Sequence, residues 1–335
     1  MKRVSLLAIS LFLSSAGLMW NPAGWTIFPT DFPKPTYEFL SNPYNPKLLT
    51  LGRMLFYDPR LSADSTISCA SCHSPYNAFA HTDHALSHGI HDSIGFRNAP
   101  ALFNLAWQKS MMWDGAIHHL DVQALAPLQA SNEMGKPFKT LAQQLNRDVW
   151  YRQLFKEAMH IDSIHGKDIL NALAQFQLSL VSNQSRYDSM RRKQIQFTYQ
   201  EKTGYALFKQ HCNTCHQEPL FSTYNLARNG LPIDSQLNDK GRMRLSEKKE
   251  DSLLFKIPSL RNLSYTFPYM HDGRYKNLRM VLQHYANNKA IIGNGPALSA
   301  GEQTDLLAFL LTLNDRHFVF DTTHTFPQEL RKQLE

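Results

Sequence analysis

Apolar residues recur at helical spacing through much of the chain. Leu141, Leu145, Trp150, Leu154, Phe155 and Met159 predict amphipathic helix. Ile169, Leu170, Leu173, Phe176 and Leu180 predict a second helical stretch over Lys167 to Val181. Thr198-x-x-Glu201 is a capping box that opens a helix leading to Cys212. Ser299-x-x-Glu302 opens a last helix with an apolar face of Leu306, Leu307, Leu310 and Leu311. Strand-like alternation is scarce, so the expected fold class is mainly α with long loops. Arg186 to Lys193 reads as a polar, basic bridge. It divides the chain into residues 21–190 and 191–335. The charged stretch Asp239 to Asp251 reads as a solvated loop.

The first residues break this pattern. Met1-Lys2-Arg3 is followed by an apolar run from Val4 to Leu13 and by small residues through Gly17. That order describes a secretory signal peptide over residues 1–20, too short to span a membrane comfortably. The expectation is export to the periplasm without stable membrane insertion, and no cysteine follows the run to carry a lipid. The 335 residues are 43% hydrophobic and 11% aromatic, which excludes a disordered chain. The net charge of +7 is spread without a dense basic block, so nucleic acid is not an indicated partner.

Chemistry enters with the cysteines. There are four, and they form two C-x-x-C pairs, Cys69/Cys72 and Cys212/Cys215, each followed at once by a histidine, His73 and His216. C-x-x-C-H is the attachment signature of a c-type haem, with the thiols bound to the vinyl groups and the histidine on the iron. A redox dithiol or half of a zinc site can also use a lone C-x-x-C. With fifteen His in the chain, both pairs being followed by one by accident has a chance of roughly 0.2%. Two covalently bound haem c groups are therefore expected.

The chain also repeats itself. Gly52-Arg-Met-Leu-Phe56 precedes the first motif and Gly204-Tyr-Ala-Leu-Phe208 the second. After the motifs, Pro100-Ala-Leu-Phe-Asn-Leu105 parallels Pro258-Ser-Leu-Arg-Asn-Leu263, and Met112-Trp-Asp-Gly115 parallels Met270-His-Asp-Gly273. Two tandem cytochrome c-like haem domains follow from this duplication. Extended thirteen residues past the shared Asp, the register reaches Pro127 in the first half and Tyr285 in the second. A tyrosine can ligate ferric haem iron, whereas a proline cannot. The first iron is expected to stay open for peroxide or oxygen, and the second to be closed.

In these residues the chain resembles the bacterial dihaem cytochrome c peroxidases and the related MauG enzymes. The patterns that carry the resemblance are Leu51 to Arg60, Ile67-Ser-Cys-Ala-Ser-Cys-His73, Arg97-Asn-Ala-Pro100, Trp113-Asp-Gly115 and Phe267-Pro-Tyr-Met-His-Asp-Gly273. The resemblance implies that the haem of His73 handles hydrogen peroxide, with Gln123 and Glu133 orienting it and shuttling its proton. It places Trp113 between the haems as an electron relay. It implies a calcium ion between the domains, held by Asn98 and the backbone oxygens of Thr266 and Pro268. Tyr285 stands where many of these peroxidases carry Met and MauG-like members carry Tyr; Met270 and His284 are rival ligands. His88 and His91 lie near the loop where some members hold a histidine that caps the first haem. His81 and His84 read as surface residues.

The function expected is an exported peroxidase that reduces hydrogen peroxide to water. Its electrons come from a small donor protein, such as a monohaem cytochrome c or a cupredoxin, docking near the second haem. A MauG-like oxidase acting on residues of a partner protein is the alternative that Tyr285 favours. A non-catalytic dihaem electron carrier is a third reading, against which Pro127 argues. The resemblance also allows a homodimer.

Overall fold

The computed structural model describes residues 28–288 and 298–334. The expected signal peptide, residues 1–20, lies outside the described residues. The frame of each half is a pair of helices that cross at a glycine. In the first half the pair is Pro46–Tyr57 and Gly166–Ser179, in the second Tyr199–His211 and Ala300–Leu311. The Pro46–Tyr57 helix starts where Asn45 accepts from the Lys47 and Leu48 amides and Pro46 supplies a preset φ. The second pair uses the two expected capping boxes, Thr198 with Glu201 and Ser299 with Glu302.

Gly52 and Gly204 occupy the same place in the repeated G-x-x-L-F segment. A Cβ on Gly52 would lie 1.8 Å from the Ala172 oxygen, and one on Gly204 1.9 Å from the Asp305 oxygen. Only a residue without a side chain lets these backbones meet. Both halves thus use one device to bring an entry helix against an exit helix, and the C-x-x-C-H segment follows the entry helix in each.

Three sequence expectations change. The helical stretch from Leu141 to Met159 is divided into Phe138–Arg147 and Val149–Met159. Asp148 between them is extended, and its carboxylate accepts from the Trp150 and Tyr151 amides to begin the second helix. The segment from Arg186 is no polar bridge: Arg186–Arg191 is a helix whose Tyr187 belongs to the second core. Its Asp188 forms a bidentate pair with Arg261 at 2.7–2.8 Å, both side chains having no solvent exposure. Finally, the residues after Leu313 cross back. Phe318, Val319 and Leu330 pack in the first core, and Tyr57 donates to the His324 carbonyl.

Among the described residues, sheet is limited to one antiparallel pair, Leu226–Ala227 with Phe255–Lys256. Among the described residues no helix is long and apolar enough to cross a membrane.

Asp188→Ala leaves the Arg261 guanidinium buried without a counter-charge. The expected cost is about 3–5 kcal/mol in denaturant unfolding of the holoprotein, more than an exposed pair would lose. A loss below about 1 kcal/mol would show that the pair does little to hold this helix in the second core.

Candidate active site

Each C-x-x-C-H segment turns its histidine into the protein. His73 follows the short Cys69–Cys72 helix, and its Nδ1 lies 2.8 Å from the Phe79 carbonyl oxygen. His216 repeats this with the Phe221 carbonyl at 3.1 Å. Both phenylalanines are fully buried and both have left-handed backbone, φ 59° and 54°. Burial pushes each imidazole pKa down to about 4, so both rings are neutral at pH 7. A neutral imidazole with Nδ1 held by a carbonyl presents Nε2 as a metal donor.

The thiols match that reading. No two of the four cysteines form a disulfide, and burial raises Cys69 and Cys212 to about 12. A redox dithiol needs a lowered thiol pKa, which is the opposite. A cavity of about 660 Å³ runs through the molecule and is walled by Cys72 and His73 at one end and by Cys212, Cys215 and His216 at the other. One thiol at the first end and two at the second, with an imidazole and an apolar wall at each, fit a covalently attached haem.

At the first end Gln123, Pro127 and Glu133 all line the cavity. The Gln123 amide points its Nε2 at the Met112 sulfur, 3.9 Å away. Glu133 is raised above the usual carboxylate range by burial. Its backbone oxygen accepts from the Ile90 amide at 2.8 Å, which fixes the turn that carries it. Pro127 offers no side-chain donor or ligand atom here.

At the second end Tyr285 lines the cavity from the Leu278–Asn287 helix. Burial first, then the nearby Cys212 and Cys215, push its phenol upward. A cation at the His216 end is needed to draw off that proton. Of the two rival ligands, Met270 lines the same wall, with its sulfur 3.6 Å from the Asn229 amide nitrogen. His284 is outside the wall, and its Nε2 is taken by the Asn229 carbonyl at 2.7 Å.

The loop histidines do not face the cavity. His88 is paired outward with Asp92 at 2.6 Å, and His91 is an exposed neighbour of Asp64. His84 is exposed as expected, but His81 is half-buried, and the rings of His81, His84 and His88 stack in a row.

Trp113 also lines the cavity. Its indole N–H donates to the Asn98 carbonyl at 2.8 Å, and its own carbonyl accepts from the Lys256 amide at 2.6 Å. Asn98, Thr266 and Pro268 all line the cavity. The Asn98 side-chain nitrogen donates to the Ala85 oxygen, which leaves Oδ1 as the atom available to a cation.

Two buried cations were not singled out by sequence reasoning. Arg97 bonds Asp114 at 2.6 Å and, bidentately, Asp239 of the other half at 2.6 and 2.9 Å. Asp239 is therefore buried and paired, not part of a solvated loop. The only sequence signal was the R-N-A-P pattern, which does not say what the arginine meets. Lys256 is buried beside Trp113, and its ammonium donates to Gln108 and Ser110 at 2.5 and 3.0 Å. Burial lowers its pKa to about 7.

The likenesses to known proteins agree with this geometry. A family model described as di-haem cytochrome c peroxidase matches residues 46–196. The methylamine utilization protein MauG of Methylophilus methylotrophus is 35% identical over 298 residues, 85% of this chain and 87% of the relative. The cytochrome c551 peroxidase of Nitrosomonas europaea is 30% identical over 317 residues, 92% of this chain and 91% of the relative. A solved MauG-like protein associated with microbial copper homeostasis superposes with a TM-score of 0.79 at 30% identity, covering 90% of this chain and 98% of its own.

Replacing the hard phenolate donor by a thioether favours the reduced iron. Tyr285→Met is expected to raise one of two haem potentials, on the order of 100 mV, and to leave the other in place. A potentiometric titration reads both. Two unchanged potentials would move the ligand to another residue.

Proposed function

As a member of the di-haem cytochrome c peroxidase family the chain is a peroxidase-type oxidoreductase with two haem c groups, and we propose that it reduces hydrogen peroxide with electrons from a small redox protein. The observation that carries this reading is the inequality of the two cavity ends. Pro127, Gln123 and Glu133 stand over one, and Tyr285 over the other.

When bound, the haems supply the redox chemistry: an iron open to peroxide at the His73 end and an electron store at the His216 end. Pro127 keeps the space opposite His73 free of a protein ligand. The Gln123 amide orients the bound peroxide by hydrogen bonding. The Glu133 carboxylate takes the peroxide proton and returns it to the oxygen that leaves as water. Its place on the cavity wall and its raised pKa suit it to both tasks. Trp113, pinned by its indole N–H, is the relay we assign between the halves. Asn98, Thr266 and Pro268 are assigned to a calcium ion that ties the same wall together. The chain is read as exported to the periplasm on the strength of residues 1–20.

A MauG-like role, oxidising residues of a partner protein, is the second reading. Tyr285 and the likeness to the Methylophilus MauG support it. Peroxide turnover with a reduced monohaem cytochrome c separates the two. Rapid oxidation of the cytochrome supports the peroxidase; slow oxidation, with the protein holding its oxidised state for long periods, supports the other.

Glu133 must be ionised to accept a proton, and burial raises its pKa. The rate at low peroxide is therefore expected to fall as pH drops through a value above the usual carboxylate range. Glu133→Gln should lower kcat/KM for peroxide by about 10²–10⁴-fold and abolish that acidic limb. A wild-type-like pH profile in the variant would remove Glu133 from proton transfer.

A further inference from the structure

Charge is divided unevenly along the chain. Residues 28–190 carry thirteen Lys and Arg against fourteen Asp and Glu, and residues 191–335 carry twenty against fourteen. The longest acid-free stretch of the second half lies between Asp272 and Glu302. It holds Arg274, Lys276, Arg279 and Lys289. It also contains the Leu278–Asn287 helix, which buries Leu278, Leu282 and Ala286 and sends Tyr285 into the second end of the cavity.

The opposite face of that helix is open. Arg279 and Lys276 are exposed and make no ion pair among the described residues, and Met280, next to Arg279, is 39% exposed. Arg228 extends the patch. It is exposed, bonds only the backbone oxygens of Ser252 and Glu250, and lines the cavity with Val281 and Tyr285. The 228–232 segment is tied to the helix region by His284 on the Asn229 oxygen, Asn288 on the Gly230 oxygen and Arg274 on the Pro232 oxygen. A basic rim around a Met and a Val thus sits on the helix that carries Tyr285, with Arg228 and Val281 reaching the cavity wall. Arg and Met at the centre and edge of an exposed patch are features of protein interfaces.

We propose that this face, built from Arg228, Lys276, Arg279 and Met280, docks the electron donor, and that the donor is a small redox protein with an acidic surface around its redox centre. The proposal rests on the peroxidase reading and adds the partner's chemistry to it. The carboxylates of such a donor meet free cations, and long-range attraction steers its encounter at low salt. A donor with a basic rim meets repulsion on the same face.

The test compares two reduced monohaem cytochromes c, one of net negative and one of net positive charge, as donors to the holoprotein. Steady-state rates are followed against ionic strength for the wild type and for Lys276→Glu/Arg279→Glu. The negative donor is expected to be preferred, with kcat/KM falling as salt rises. The double variant should lose about tenfold or more in kcat/KM for that donor at low salt, with a flattened salt dependence. Its peroxide turnover with a small uncharged chemical reductant should equal that of the wild type. Equal rates for the two cytochromes, or a variant indistinguishable from wild type, would overturn the docking face. So would binding of the wild type to anionic lipid vesicles that the double variant loses, without any difference between donors. No turnover of the wild type with the chemical reductant either would overturn the peroxidase reading, and the docking proposal with it.

Discussion

A histidine can serve as a fixed metal ligand only if its other nitrogen is held, and both halves of this protein hold it in the same way. The carbonyls that do so belong to Phe79 and Phe221, each in a left-handed conformation that costs a non-glycine residue about 1–2 kcal/mol. Each ring is fully buried, and burial of a phenylalanine returns about as much or more. Core packing therefore keeps the strained carbonyl aimed at the imidazole. The glycine crossings at Gly52 and Gly204 serve the same end, since they bring the entry helix of each half close enough to anchor the segment that follows.

With the proximal side duplicated, function depends on what differs. The difference lies along the cavity, where the repeat puts Pro127 in the first half and Tyr285 in the second, and in the wall that joins the two ends. That wall is shared work. Trp113 of the first half pairs with the Lys256 backbone of the second, the Asn98 amide donates to the His271 carbonyl, and Arg97 clamps Asp239. These contacts hold one indole and its neighbours rigid between two sites. Arg97, Asn98, Trp113 and Asp239 lie in loops and turns, so these contacts between the halves are what fix their spacing.

Much of this was legible in the residues. The two C-x-x-C-H motifs, the repeat and its thirteen-residue offset pointed to residues that line one cavity, because short motifs and register survive in one dimension. Capping boxes announced two of the four frame helices. What stayed hidden were long-range pairings. Asp239 looked like one charge in a polar stretch until Arg97, far away in sequence, neutralised it. Tyr187 and Asp188 looked like part of a basic linker until Arg261 made them core. The return of Phe318, Val319 and Leu330 to the first core is likewise a matter of tertiary packing that no local pattern encodes.

The central claim is that a duplicated frame carries two unequal iron sites, one open and one closed by Tyr285. Electron paramagnetic resonance of the fully oxidised holoprotein reads this directly. The account predicts one high-spin and one low-spin ferric haem in equal amounts, with the low-spin signal altered in Tyr285→Phe. Two low-spin signals, or a low-spin signal indifferent to that substitution, would contradict it.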